Sequence, residues 1–386
     1  PSTLSVTVNG TNDAPTVKAT TEVDGTYVNT AIPTTYDSSI IVANINATDT
    51  DINDTLVYSI VVNSLDDSQY LSIDSITGVV TFIDETAYNT ANISALNFQV
   101  KVLDLNAAEA VYSIQSGTGI DGYIVNMTVF SDFDNDQTLD STEASDQTNS
   151  QGEFTLSGGT LSGVTIGYGG IDISTGLAFE GIYKAPSGVS VLNPITTLLV
   201  NLMATPGTTL ADAIATVKAD FGITSSVDLL ADPIASALAA TGTLQADYVT
   251  LQMINTKIDN TIGQIAAAIE GAGIATEINA YAAISSELAS MLLAGSVNLD
   301  NNTDVNTLIT NTLAALSNGS LTPAAQSDLV TIVLNTNTAI TDSISTSLTS
   351  AEALESLAKV QIAAESVENE LEEGVKAGDT SSAVIS

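Results

Sequence analysis

The 386-residue chain contains no cysteine, histidine, tryptophan or arginine, and only seven lysines stand against 45 acidic residues. These absences exclude thiolate nucleophiles, imidazole bases, Ser-His-Asp triads, zinc sites built on His or Cys, and arginine clamps for phosphate. Lack of cysteine also excludes disulfides. Among catalytic classes, chemistry that uses carboxylates alone, as in glycosidases, stays open.

The formal charge of −38 at pH 7 excludes nucleic acid as a partner, because binding to phosphates requires lysine and arginine. The chain is nevertheless expected to fold, since 44% of its residues are hydrophobic and its mean hydropathy is +0.27. Its length suffices for about two to four domains. We find no apolar run of about 20 residues and no basic signal peptide, and we therefore expect no membrane span and a mature or excised piece.

The first half of the chain has the alternating pattern of β-strands. Residues 3–8, "TLSVTV", predict a strand, so that residues 1–15 form an orphan strand and a linker. Short apolar runs separated by Asp, Asn, Gly and Ser predict a β-sandwich over residues 16–114. The Gly-rich "SGTGIDG" at 116–122 is interpreted as a joint, after which residues 117–188 predict a smaller β-sandwich.

The second half has helical periodicity, and it predicts an all-α bundle of about seven to nine helices over residues 193–378, with a tail at 379–386. Asp232-Pro233 and the capping box Thr349-Ser-Ala-Glu352 mark helix starts. Apolar stripes are interpreted as core, and the acidic "ESVENELEEG" at 365–374 as a solvated helix face. The predicted fold class is multidomain, β then α.

A twelve-residue loop, "DFDNDQTLDSTE", has oxygen-bearing side chains at the spacing of the EF-hand calcium loop. Five carboxylates in one loop repel each other unless a cation lies among them. Gln137 occupies the sixth position, where glycine normally makes a sharp turn. The alternative is a solvated acidic turn. The predicted calcium ligands are Asp132, Asp134, Asp136, Thr138 through its backbone carbonyl, Asp140 directly or through water, and Glu143.

The segments on both sides of this loop alternate as strands, whereas an EF-hand sensor has helices there. We therefore expect the site to brace the fold and not to switch it. The run "GYIVNMTVFSDFDNDQTLDSTEASDQTNSQGEFTL" resembles the calcium-loop β-sandwich modules of the Sdr B-like or carboxypeptidase-regulatory-like kind. Such modules occur in large bacterial surface proteins.

The first 114 residues resemble bacterial cadherin-like modules of VCBS and RTX-type adhesins. "VTVNGTNDAP" is similar to their linker, "ATDTDINDTLVYSI" to their Asp-x-Asp segment and "YLSIDSITGVVTF" to their central hairpin. Asp84-Glu85 stands near the family's Asp-x-Glu, with spacing one residue short. Turn chemistry is the alternative for these acids. The resemblance implies calcium ligands at Asn12, Asp13, Asp49, Asp51 and Asp104.

These features predict a non-enzymatic, calcium-stabilised structural or adhesive protein at a bacterial cell surface. It would be a segment of a large adhesin, or a self-assembling subunit of a surface layer or filament. The helical part resembles regions that follow calcium-loop β-modules in exported bacterial proteins. Expected partners are neighbouring modules or further copies, with a surface glycan or receptor as another partner. The alternative function is carbohydrate binding, or glycan hydrolysis by carboxylates; the absence of tryptophan and 5% aromatic content disfavour both.

The orphan strand at residues 3–8 leaves three interpretations open. It completes the sandwich of its own chain, it is the remnant of a longer polypeptide, or it pairs with a neighbouring subunit as a donated strand. Donation through a heterologous interface that does not close would produce an open filament. The linker residues Asn12 and Asp13 would then lie at the subunit boundary.

Overall fold

The computed structural model describes residues 12–20, 24–29, 32, 35–51, 54–62, 66–91, 96–158, 161–295, 297–317, 319–344 and 348–378. The orphan strand at 3–8 and the tail at 379–386 lie outside the described residues. The chain divides into two compact units. Unit 1 comprises Pro1–Ser116 and Thr155–Leu161, and unit 2 comprises Gly117–Phe154 and Ser162–Ser386.

Strands dominate the first 192 residues and helices dominate the rest, which confirms the predicted order of β before α. The strands are β1 (Thr16–Val17), β2 (Tyr27–Val28), β3 (Ile41–Asn44), β4 (Ala47–Thr48), β5 (Val57–Val61), β6 (Leu71–Ile73), β7 (Val79–Phe82), β8 (Asn97–Leu103), β9 (Glu109–Gly119), β10 (Ile124–Val125), β11 (Thr128–Asp132), β12 (Ser145–Gln147), β13 (Glu153–Gly158), β14 (Val164–Tyr168), β15 (Ile171–Asp172), β16 (Ile182–Ala185) and β17 (Val191–Leu192). The helices are α1 (Glu85–Thr90), α2 (Pro194–Met203), α3 (Leu210–Asp220), α4 (Pro233–Ala239), α5 (Thr243–Gly271), α6 (Glu277–Ala294), α7 (Asn302–Leu316), α8 (Pro323–Ser343) and α9 (Ser350–Ala377).

Unit 1 contains two sheets that share one hydrophobic core. One sheet has the order β2-β3-β7-β6, and the other has the order β13-β9-β8-β5. In β8, Phe98, Val100 and Val102 are buried while the residues between them are half-buried, as the period of two in a strand requires. A separate pair, β1 and β4, brings the chain near Thr16 beside Thr48.

The boundary between the two units lies inside the Gly-rich segment predicted as a joint, between Ser116 and Gly117, although β9 continues through it to Gly119. Glycine is needed here for close packing. A Cβ on Gly117 would collide with the carbonyl of Ser190 and the ring of Phe154, and one on Gly119 would crowd the sulfur of Met127. Glycine in a sequence can therefore indicate a strand that packs closely against neighbouring atoms, and not only a turn.

Residues 153–158 form a strand, as expected, but the partner differs from the prediction. The sequence placed them in the second β-domain, whereas β13 pairs with β9 and Thr155–Leu161 belong to unit 1. Strand pairing over such a distance depends on the tertiary fold and leaves no local signal.

Unit 2 combines a four-stranded sheet of order β12-β11-β14-β16 with the helices α2 to α9. Asn193 and Thr196 form a capping box that starts α2. The hydroxyl of Thr197 in α2 accepts a 2.9 Å hydrogen bond from the backbone of Lys184 in β16. Helix α5 is buried along most of its length and packs against α4, α6, α8 and α9. The predicted second β-domain and helical bundle therefore lie in one compact unit.

Helix starts within unit 2 follow the local signals in the sequence. Asp232 caps α4 ahead of Pro233, and Thr349 with Glu352 forms the capping box of α9. Gly378 ends α9 in the left-handed conformation. Searching the described helices for one long and apolar enough to cross a bilayer finds none.

Candidate metal centres

The first acidic cluster of unit 1 is assembled from four segments, and we call it the linker cluster. Asn12 and Asp13 precede β1, and Asp49 and Asp51 follow β4. Asp54, just before β5, and Asp104, just after β8, complete it. One carboxylate oxygen each from Asp49, Asp51 and Asp54 lies within 4.8 Å of the other two. The structure therefore brings together the five residues that the cadherin-like resemblance implied.

Hydrogen bonds tie the linker to these turns. Asn12 Nδ2 donates to Asp104 Oδ2 at 2.7 Å, and Asn12 Oδ1 accepts from Asn106 Nδ2 at 2.8 Å. The backbone N–H of Asp13 donates to Asp51 Oδ2 at 2.9 Å. Asp104 is 6% exposed, and its Oδ1 accepts two backbone N–H groups of its own turn. Asp104 is thus held in place without help from a cation.

Two carboxylates of the linker cluster keep an oxygen that is buried and unpartnered. Asp49 Oδ2 and Asp54 Oδ2 accept no hydrogen bond within the described residues. Burial raises the pKa of Asp54, and the charges of Asp104, Asp49 and Asp51 raise it further. Buried carboxylate oxygens without donors are the groups that a hard cation would satisfy.

Asp54 is a member of the linker cluster that the sequence interpretation missed. It follows Asp49 and Asp51 in the same "DTDIND" segment, so a third acid at this spacing was the available signal. Asp84, which the sequence placed near the Asp-x-Glu of the cadherin-like pattern, is a helix cap. It caps α1, where its Oδ1 accepts the N–H of Ala87 at 2.8 Å, which explains Asp84 without a metal.

The second cluster is the calcium-loop motif in unit 2, which we call the hairpin loop. It connects β11 to β12, and these strands pair antiparallel with Phe130 opposite Ser145. Asp132 is the last residue of β11, and it also pairs with Val164 of β14. The strands that the sequence predicted on both sides are present. The hairpin loop thus begins at a position that pairing with β14 holds.

The backbone of the hairpin loop adopts the left-handed conformation that the sharp turn of the calcium-loop motif requires. Gln137, at the position normally taken by glycine, has φ of 62°, and Asn135 has φ of 61°. This left-handed conformation costs a residue with a side chain about 1 to 2 kcal/mol, although asparagine tolerates it better. The chain therefore makes the turn of the motif with a residue poorly suited to it. Lys184 Nζ donates to Gln137 Oε1 at 2.7 Å and helps to hold this turn.

Three of the predicted ligands form a close group. One oxygen each from Asp132, Asp134 and Asp136 lies within 4.8 Å of the other two. Asp140 and Glu143 are not members of this trio. Glu143 folds back over the loop, where its two oxygens accept the N–H of Phe133 at 2.8 Å and of Asp140 at 3.2 Å.

Two of the predicted ligands bond within their own turns. Asp140 Oδ1 accepts both the N–H and the hydroxyl of Thr142 at 2.6 Å, which lowers its pKa. The N–H of Thr138 donates to Asp136 Oδ1 at 2.7 Å. These bonds pre-form the turns, and carboxylate oxygens keep lone pairs for a cation.

Asp132 is the buried anchor of the hairpin loop. It is 2% exposed, and its Oδ2 accepts the N–H of Gln137 at 3.2 Å. Its Oδ1 has no donor within the part of the chain that the structure describes. Burial raises the pKa of Asp132, and nearby N–H groups oppose this rise. The residues of the hairpin loop fit a hard cation, because the donor set is oxygen alone and its buried member lacks a partner.

A third acidic cluster, which the sequence interpretation missed, lies inside unit 2. We call it the interior cluster: Asp121 after β9, Asp172 in β15 and Glu365 in α9, with one oxygen of each within 4.8 Å of the other two. Asp121 is 3% exposed and Asp172 is 2% exposed. Asp259 of α5 adjoins them and accepts hydrogen bonds from the hydroxyls of Tyr183, at 2.7 Å, and Tyr281.

Burial dominates the electrostatics of the interior cluster. It raises the pKa of Asp121 well above its ordinary value, and the charges of Asp259 and Asp172 add to this effect. Burial likewise raises the pKa of Glu365 to about 8. The interpretation of residues 365–374 as a solvated face is therefore wrong for Glu365 and Glu368, which line cavities. Their spacing of three residues was the available signal for a shared helix face.

Comparison with known proteins finds no match, whether with family models, curated proteins or solved structures.

Proposed function

We propose that this chain is a non-enzymatic, calcium-stabilised structural protein of a bacterial cell surface. It serves either as a segment of a large adhesin or as a self-assembling subunit of a surface layer or filament. Calcium binds at the linker cluster and at the hairpin loop. Its role is to neutralise carboxylate repulsion and to stiffen each unit.

The observation that carries this proposal is the convergence of oxygen ligands in the linker cluster. Asn12 and Asp104 are 92 positions apart, yet they bond to each other beside Asp49, Asp51 and Asp54. A chain that carries 45 acids and seven lysines has little lysine with which to neutralise such a group. Cations from solution are the remaining source of positive charge, and among them calcium prefers carboxylate ligands.

The cell exterior is the setting in which such sites work. Extracellular calcium modules bind with dissociation constants of roughly 10⁻⁴ to 10⁻³ M, which matches millimolar calcium outside cells. Calcium at roughly one to ten times its dissociation constant adds about 0.4 to 1.4 kcal/mol per site to the free energy of unfolding. A salty medium also shortens the range of repulsion within the acidic surface. Labelling intact cells of the source with antibodies against the chain tests this location.

Thermal unfolding of the full chain in calcium and in EGTA tests the role of the metal. We expect calcium to raise the Tm of both units, and the elemental composition of the purified protein to include calcium. Asp132→Asn with Glu143→Gln should reduce the rise in unit 2 and leave that in unit 1 unchanged. Equal melting curves in the two media, with no calcium retained, would refute the calcium role.

The matched control is Asp342→Asn, which removes one charge from an exposed position of α8. It should leave the calcium-dependent rise in Tm unchanged. A loss of the rise in this variant would mean that net charge, and not a defined site, determines the response.

Self-association is tested by the mass in solution of the intact chain and of a form that lacks residues 1–10, each with and without calcium. If residues 3–8 donate a strand to a neighbour, only the intact chain polymerises, and calcium promotes polymerisation. If both forms stay monomeric at every calcium level, strand donation is wrong. The result would then favour the interpretation that the chain is a segment of a large adhesin.

Carbohydrate binding is the second candidate, and a groove beside the hairpin loop favours it. The groove has a volume of about 650 Å³, within the range of about 300 to 1,000 Å³ typical of ligand sites. Phe133, which is 64% exposed, lies on its wall with Lys184 and Asn201. A glycan array tests this function, and Phe133→Ala should abolish any specific signal because a sugar ring stacks on an aromatic side chain.

Hydrolysis by carboxylates would require two acids across a groove of sufficient size. Burial raises the pKa of Glu277 to about 9 and that of Glu365 to about 8, and both line a groove of about 230 Å³. This volume is below the usual ligand range, and no aromatic residue is among the described residues that line the groove. Turnover of a polysaccharide that disappears in Glu277→Gln or Glu365→Gln would overturn the non-enzymatic proposal.

A further inference from the structure

The interior cluster joins the strands of unit 2 to two of its long helices. Asp121 and Asp172 come from the strand region, Asp259 from α5 and Glu365 from α9. Gly122 permits the close approach, because a Cβ there would collide with Ser174 and with the carboxylate of Asp172. The fold therefore brings the three acids of the interior cluster and the adjoining Asp259 together from distant parts of the sequence.

Hydrogen-bond donors serve only part of this cluster. Asp259 accepts the two tyrosine hydroxyls, and Asp172 accepts the N–H and the hydroxyl of Ser174 at 2.7 and 2.8 Å. In contrast, Asp121 Oδ1 and Glu365 Oε2 are buried, and neither has a hydrogen-bond partner among the described residues. A buried carboxylate oxygen without a donor or a cation is costly.

Asp121 also lines a cavity of about 30 Å³ together with Asp172, Asp259, Glu365 and Glu368. A volume of roughly 10 to 15 Å³ accommodates one water-sized sphere, so this cavity suits a single ion and excludes an organic ligand. The charged groups among its lining residues are all carboxylates, which select hard cations over thiophilic or imidazole-binding metals.

We propose that Asp121, Asp172 and Glu365 bind one hard divalent cation, Ca²⁺ or Mg²⁺, inside unit 2. The cation completes the coordination of Asp121 Oδ1 and Glu365 Oε2, and it holds α9 against the strands. This site is separate from the linker cluster and from the hairpin loop. The proposal for the interior cluster does not depend on the calcium role proposed for those two sites.

The test uses the full chain carrying Asp54→Asn and Asp132→Asn, which weaken the other two sites. Equilibrium dialysis with Ca²⁺ alone, and then with Mg²⁺ alone, should give one bound ion per chain. Adding Asp121→Asn should weaken this binding at least tenfold. If the background chain binds neither ion at millimolar concentration, the proposal is overturned, whatever the other sites do in the unaltered chain.

The direction of the change in Tm separates a cation from protons as the neutralising species. With a cation site, Asp121→Asn raises the Tm in EDTA, because one repelling charge is gone, and lowers it relative to the parent in the ion that binds. A change in Tm of the same size in both media would mean that no cation binds to the cluster, and the proposal would be wrong.

Glu365→Gln provides a second variant at a half-buried position, in case Asp121→Asn does not fold. Its matched control is Glu370→Gln, an exposed position on the same helix. We expect the divalent ion to slow proteolytic cleavage within α9 at least tenfold in the background chain and in the Glu370→Gln control. Glu365→Gln should lose this protection, and protection that persists in Glu365→Gln would contradict the site.

Discussion

Asn12 Nδ2 donates a hydrogen bond of 2.7 Å to Asp104 Oδ2, which connects the linker before β1 to the turn after β8. The side chain of Asn12 also accepts from Asn106, so the linker is held at two points of the same turn. Next to it, Asp13 binds Asp51 through its backbone N–H. The linker is thus positioned by the same acids that are proposed to bind calcium, and calcium there would stiffen the entry to unit 1.

Replacing Asp54 by Asn should have opposite effects in the two media. Without calcium the variant should have a higher Tm for unit 1, because the charges of Asp104, Asp49 and Asp51 no longer meet a fourth carboxylate. With calcium it should bind the ion on the order of tenfold more weakly, since affinity depends on the number of charged ligands. Calorimetry in EGTA and in calcium measures both effects. The control is Glu109→Gln, an exposed acid paired with Lys101, which should leave calcium binding unchanged.

Replacing Gln137 by Gly should stabilise the hairpin loop. Gln137 has φ of 62°, and relief of this strain should gain about 1 kcal/mol, partly offset by loss of the exposed hydrogen bond from Lys184. Calcium affinity should rise as well, because glycine suits the turn of the motif. Isothermal titration and chemical denaturation measure the two effects. Asn135→Gly is the matched comparison and should gain less, because asparagine tolerates φ of 61°. An equal gain at both positions would contradict the strain at Gln137.

Replacing Gly163 by Ala should displace Asp132. The added Cβ would lie far inside van der Waals contact with the carbonyl group of Asp132, and backbone atoms cannot move aside as a flexible side chain does. We expect a loss of about 1 to 3 kcal/mol in the free energy of unfolding of unit 2, together with weaker calcium binding at the hairpin loop. Gly295→Ala is the control, because a Cβ there meets open space. Wild-type calcium affinity in Gly163→Ala would show that the anchor position of Asp132 is not needed.

Unit 1 should lose stability as the pH rises from about 4 to about 6, through Asp67. Burial raises the pKa of Asp67 from 3.8 to about 6, although its carboxylate accepts the N–H of Asn97 at 2.8 Å. Because the folded state binds this proton more tightly, its contribution is complete below pH 3.8 and is lost as the pH passes 6. The full difference corresponds to about 3 kcal/mol, and partial exposure reduces the expected value to about 2 kcal/mol.

Urea denaturation at pH 4 and pH 7 measures this effect as the difference between the wild type and Asp67→Asn. The variant should be more stable than the wild type at pH 7 and nearly equal to it at pH 4. Glu109→Gln, an exposed acid of the same unit, should show no such change with pH. A difference between wild type and Asp67→Asn that is the same at both pH values would refute the role of Asp67.

The sequence by itself determined the features that depend on neighbouring residues. The order of β before α follows from the change of hydrophobic period from two to 3.6. Helix starts at Asp232 and Thr349, and the end of α9 at Gly378, follow from capping chemistry that acts within a few residues. The ligand spacing of the hairpin loop and the strands beside it likewise depend only on residues that are close in the sequence.

Only the tertiary structure decided which distant segments meet. Strand β13 pairs with β9, and the β-domain expected at 117–188 shares a compact unit with the helices, because pairing and burial act across any separation in the chain. No common motif in the sequence connects Asp121, Asp172 and Glu365. The sequence of α9, taken alone, predicts an acidic helix face exposed to solvent. Their proximity arises when α5 and α9 pack beside the strands, and burial there turns ordinary acids into a candidate metal site.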